Sequence, residues 1–72
     1  MKELRERIEP ARVQVQGDSV VALYLFLRRY EEELDATMLG VLNTVERELF
    51  GRLSVDEMEQ LDDYYRERYG KG

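Results

Sequence analysis

The segment Val20-Val21-Ala22-Leu23-Tyr24-Leu25-Phe26-Leu27 places eight apolar residues in succession and runs directly into Arg28-Arg29. On an α-helix, eight residues turn through more than two circuits, so this stretch is apolar on every side rather than along one stripe. A surface helix of a small domain shows one dry face and one wet face. This one needs cover all round, from the rest of the chain, from a second copy, or from another protein.

What precedes the octad admits two readings. Residues 2–9 mix charges around Leu4 and Ile8, spaced i, i+4, as a short amphipathic turn or two that Pro10 stops. Ala11 to Gln16 alternates, with Val13 and Val15 on one side, and reads as extended chain. In one reading Gly17 is a turn and Asp18 or Ser19 caps a helix starting at Val20. In the other, Gly17-Asp18 is a two-residue loop suited to a type II′ turn, and 11–26 is a β-hairpin within an α+β fold. The helix is preferred for two reasons. The octad holds three leucines and an alanine, good helix formers. A stripe that begins inside it also continues in steps of three and four: Val20, Leu23/Tyr24, Leu27, Glu31, Leu34, Met38, Val41/Leu42, Val45, Leu49. The phase holds across Gly40, which favours one long helix from about 19 to 50. Asp35 is a candidate cap for a fresh helix at Ala36, so a break near 35 or a kink near 40 stays open.

Downstream, Leu53-Ser54-Val55-Asp56-Glu57-Met58 carries a capping box, Ser54 with Glu57, and a hydrophobic staple, Leu53 with Met58. Gly51 suits a left-handed residue that ends a helix. A last helix is therefore expected over 55–69, with a dry stripe of Val55, Met58, Leu61 and Tyr65, and Gly70 as its stop. The expected architecture is all-α. An N-terminal arm over 1–17 precedes a helical hairpin over 18–72.

Size and composition restrict function. A chain of 72 residues buries only about 60% of its unfolded surface, and one such core rarely yields more than roughly 3–5 kcal/mol without a staple. With neither cysteine nor histidine, disulfides, thiolate zinc sites and the usual general base are unavailable. The acidic runs Glu31-Glu32-Glu33-Asp35 and Asp56/Glu59/Asp62/Asp63 lack the Glu-x-x-His partner of bundle di-metal sites and the central glycine of calcium loops, and read as solvated helix faces. Paired carboxylates for glycoside hydrolysis need a concave site that two or three short helices scarcely provide. Neither enzyme, metal nor cofactor is expected. The octad is far shorter than the ~20 residues of a membrane span, and the N-terminus has no apolar leader core, so a cytoplasmic protein is expected.

Oligomerisation is the remaining staple. A helix over 55–69 spans about 22 Å and, folded back, covers the long helix only from about 36 to 50. The exposed half predicts a homodimer in which two octads lie antiparallel, with Val20, Leu23, Tyr24, Phe26, Leu27 and Leu34 at the interface of a two-fold four-helix assembly. Five tyrosines exceed what a small core uses. Tyr64, Tyr65, Arg68 and Tyr69 are the candidate partner-binding patch, since tyrosine and arginine are enriched at binding hot spots. The expected function is a non-enzymatic protein-interaction module, an adaptor or regulator. The alternative is a dimeric nucleic-acid-binding regulator using Arg28, Arg29 and the basic residues of the arm. The charge speaks against it: residues 1–17 carry four basic and three acidic groups, 18–53 four and seven, and 54–72 three and six.

Overall fold

A computed structural model describes residues 2–70, and they are helical with no strand among them. The all-α expectation therefore holds and the β-hairpin at 11–26 is not formed. The elements are α1 (Lys2–Ile8), α2 (Asp18–Arg29), a 3-10 turn (Glu31–Glu33), α3 (Ala36–Phe50), α4 (Val55–Glu59) and α5 (Leu61–Tyr69).

Gly17 makes the turn that both readings required. Its φ of 59° and ψ of −131° match the first central residue of a type II′ turn, a conformation open to glycine and closed to most residues with a Cβ. The Ser19 amide closes that turn by donating to the Gln16 carbonyl at 3.1 Å. The chain then enters a helix instead of a returning strand. That helix begins at Asp18, not Val20, and neither Asp18 nor Ser19 caps it: Gly17 holds the cap position with no side-chain bond.

The long helix over 19–50 is not continuous. It stops at Tyr30, passes through the Glu31–Glu33 turn, and runs extended at Leu34 and Asp35 before α3 begins. Asp35 caps the new helix, its Oδ1 accepting from the Met38 amide at 2.9 Å. Glu31, the polar intruder in the stripe, marks the break. Gly40 lies inside α3 without interrupting it.

The break lets α3 fold back along α2, so that Val20 and Val21 at the start of α2 lie beside Leu49 near the end of α3. On another flank α2 packs against α5. The cover that the octad demands thus comes from its own chain. Val21, Tyr24 and Leu27 are buried with Leu42, Leu49, Met58 and Leu61, while Val20, Leu23 and Leu25 pack around them. Leu27 at 1% and Leu42 at 2% exposure form the centre. Of the octad, Phe26 alone stays open, at 57%.

The turn into α4 follows the local code. The Glu57 amide donates to Ser54 Oγ at 3.1 Å and the Ser54 amide donates to Glu57 Oε1 at 2.8 Å. Met58 is buried and Leu53 packs against the core beside it. Ser54→Ala should lower stability by about 1 kcal/mol in urea unfolding, with Glu57→Ala costing a similar amount. Two details differ from expectation. Gly51 is right-handed, at φ −71°, because the Arg52 and Leu53 amides keep donating to the Leu49 carbonyl. The last helix is also two: at Gln60 the amide bonds back three residues to Glu57, and α5 starts afresh at Leu61. The bend leaves α4 against α3 and lays α5 on α2.

Candidate functional site

Asp18 is the only acidic residue between Glu9 and Glu31. It sits in the first turn of α2, where the helix dipole favours an anion. Because α5 runs along α2, three of its side chains reach this carboxylate. Tyr64 donates its hydroxyl to Oδ1 at 2.5 Å, Arg68 Nε donates to Oδ2 at 3.1 Å, and the Tyr69 hydroxyl also donates to Oδ2. The Arg68 guanidinium lies over both rings, 5.7 Å from the Tyr64 centroid and 5.8 Å from that of Tyr69. Tyr69 in turn packs on Tyr65, centroids 4.8 Å apart.

The electrostatics follow from the geometry. Hydrogen bonds from Tyr64 and then Tyr69, with the positive charge of Arg68, hold the Asp18 carboxyl below its ordinary value of 3.8. The same bond pushes the Tyr64 hydroxyl above its ordinary value of 10.0, since ionising it would place two anions together. Tyr24 is also pushed up, there by burial.

Three of the four expected contact residues thus converge, but their polar groups point inward to Asp18. Tyr64 and Tyr69 keep part of each ring open to solvent, while Tyr65 packs against the core. Sequence reasoning missed Asp18 as their partner and placed it as a helix cap. Its isolation as the one carboxylate in a 21-residue stretch without other acids was the available signal.

The expected dimer residues are placed differently. Tyr24 and Leu27 are buried within the single chain, so their surface is not open to a second copy, and Val20, Leu23 and Leu34 are partly buried against the same core. The reason is the break at 30–35, which brings α3 over the face assigned to a partner. Phe26 remains exposed, its ring 4.9 Å from that of Tyr30. The two cations of the nucleic-acid reading are also set among acids. Arg28 pairs with Glu46 at 3.3 Å and with Glu31 at 3.6 Å, and Arg29 lies with it beside Glu31–Glu33.

Next to the Asp18 cluster an open groove runs between the start of α2, the end of α3 and the α4–α5 bend. It is about 380 Å³ in volume, with an apolar floor of Val21, Leu49, Leu53 and Leu61. Among the described residues no three acidic side chains converge as a metal site, and Asp62 and Asp63 both face Arg66. No described helix is long and apolar enough to cross a membrane. Comparison with protein-family models, curated proteins and solved structures found no match for this chain.

Proposed function

We propose that this protein is a non-enzymatic protein-interaction module, an adaptor or regulator, acting as a homodimer in the cytoplasm. The observation that carries this reading is apolar surface that is patterned yet left open: Leu4 and Ile8 on one face of α1, Val13 beyond it, and Phe26 on α2. Isolated exposed apolar residues need no explanation, but a helical i, i+4 pair followed by alternating valines is the pattern of a segment with a covered face. The non-enzymatic part rests on chemistry. With neither histidine nor cysteine, the hydroxyls of Ser19, Thr37, Thr44 and Ser54 lack the usual activating base. A cysteine-free chain forms no disulfide, so a reducing compartment such as the cytoplasm takes nothing from its fold.

In this reading the rings of Tyr64 and Tyr69, with Arg68 between them and Tyr65 beneath, form the surface offered to another protein, and the bonds to Asp18 hold them in place before contact. Rings fixed in advance lose little entropy on binding. Sedimentation equilibrium tests the homodimer. A mass near twice 8.6 kDa and a Tm that rises with protein concentration are expected. A folded monomer at every concentration would overturn the dimer.

A further inference from the structure

The apolar face of the arm at Leu4 and Ile8 and the apolar groove belong to one chain but do not meet within it. Leu4 and Ile8 are 52% and 58% exposed, and Val13 is 86% exposed. The depression beside Leu4 and Ile8 is bounded by Arg5 and Glu9 of the same segment, with no residue from the rest of the protein. An apolar pair one turn apart on a short helix is the form of ligand that seats in an apolar groove. The groove floored by Val21, Leu49, Leu53 and Leu61 is open and empties toward Gly17, where it meets the root of the arm at Gln14–Gln16.

Charge matches as well. Residues 1–17 carry four basic and three acidic groups, against seven and thirteen over 18–72, so a slightly cationic arm faces an acidic body. The groove is lined by Asp18 and Glu57 against one cation, Arg52, with Asp18 already paired to Arg68, and α1 places Arg5 and Arg7 in its last turn. The arm root passes Glu48, Leu49 and Arg52 at the groove's edge, Leu4 and Ile8 are not among the residues that line the groove, and the protein is 44 Å long by 24 Å wide. Residues 11–16, beyond the turn at Glu9-Pro10, span roughly 20 Å when extended, the reach available for crossing to a neighbour.

We propose that α1 of one copy docks Leu4 and Ile8 into the groove between α2, α3, α4 and α5 of a second copy, and that the exchange is mutual. This rests on the homodimer reading above and names its surface. Each copy has one arm and one groove, so mutual docking closes a two-fold pair with no arm or groove left over. The interface is then the arm and groove, and the octad serves the core of each copy.

Two experiments on the full chain test this. In Leu4→Asp/Ile8→Asp both changes lie on exposed arm positions, so the chain should keep its far-UV spectrum and cooperative melting. Its dimer dissociation constant should rise by about a hundredfold or more. Because the sequence has no native cysteine, site-directed cross-linking is clean. Mixing Ile8→Cys with Arg52→Cys chains under oxidation should give a disulfide-linked heterodimer, while Ile8→Cys with Glu33→Cys should not. If the wild-type chain is a monomer, the homodimer reading fails and arm exchange fails with it. Should the wild type be a dimer that the arm variant does not weaken, arm exchange alone is overturned. A disulfide formed within single Ile8→Cys/Arg52→Cys chains at high dilution would show the arm closing on its own groove, which also overturns it.

Discussion

Leu27→Glu is expected to yield an unfolded chain at every protein concentration. Leu27 is 1% exposed and lies with Leu42, the other nearly inaccessible side chain, where α2 meets α3. A carboxylate there is left without water, and no cation lies in the core to pair with it. The milder Leu27→Ala should cost about 2–5 kcal/mol, the range for removing a buried leucine side chain. A 72-residue core without disulfides rarely holds more than roughly 3–5 kcal/mol in total, so even the alanine variant should melt near or below room temperature. Phe26→Glu is the control. One residue away but 57% exposed, it should keep its melting curve within a few degrees. Far-UV circular dichroism through a urea titration, repeated at several protein concentrations, reads all three. A folded Leu27→Glu chain would mean that α2 is not seated against α3.

That position also shows how far the sequence was legible. Eight apolar residues in a row state correctly that α2 must be covered on nearly every side, but not by what. The misleading feature was phase. From Val20 to Leu49 the apolar steps stay at three and four across residues 30–35, so periodicity alone ran two helices together. The local chemistry of the break was present in Asp35, and in Glu31 as the one polar member of the stripe. Periodicity outweighed both because a cap signal is worth about 1 kcal/mol while a stripe of ten residues implies far more burial. With the helix unbroken, half of it lacked cover, and a second copy had to supply it.

Signals confined to a few residues fared better. The Ser54–Glu57 box is closed by backbone and side chains three residues apart, so nothing distant can undo it. At Gly17 the turn type was legible and its consequence was not. A type II′ turn needs only glycine's positive φ, whereas strand or helix afterwards is decided by whether 20–27 packs against other helices. The Asp18 cluster is the opposite extreme. Its bonds join residues 46, 50 and 51 apart, and no spacing rule links an aspartate at the start of one helix to tyrosines at the end of another. The excess of tyrosines was visible, and so was the lone carboxylate. Their meeting depends on the bend at Gln60, which carries no distinctive residue.

Asp18→Asn should lower the Tm at neutral pH, and the gap from wild type should close as the solution is acidified. In the folded chain Tyr64, Tyr69 and Arg68 hold the Asp18 carboxyl below 3.8, while in the unfolded chain it takes its ordinary value. As pH falls the unfolded chain therefore binds this proton first. The stabilisation is fully present above the ordinary carboxylate range and is lost as pH drops through the folded value. Subtracting the variant's profile removes whatever pH dependence the two chains share and leaves the part that belongs to Asp18. At the alkaline end the sign reverses. Tyr64 is raised above 10.0, so its neutral form is favoured by folding, and its contribution is lost as pH rises through that raised value. Tyr64→Phe should leave the acid limb partly intact, through Tyr69 and Arg68, and remove one of the two late-ionising tyrosines, Tyr64 and Tyr24, from the tyrosinate absorbance titration. The chain has no tryptophan, so near-UV dichroism to the red of the phenylalanine bands reports the tyrosines. Its signal should collapse with the Asp18 limb before the far-UV signal does, as α5 loosens from a core that α2 and α3 still share. A Tm gap that stays constant down through the acid range would show that packing at Asp18, and not its charge, holds the end of α5 to the start of α2.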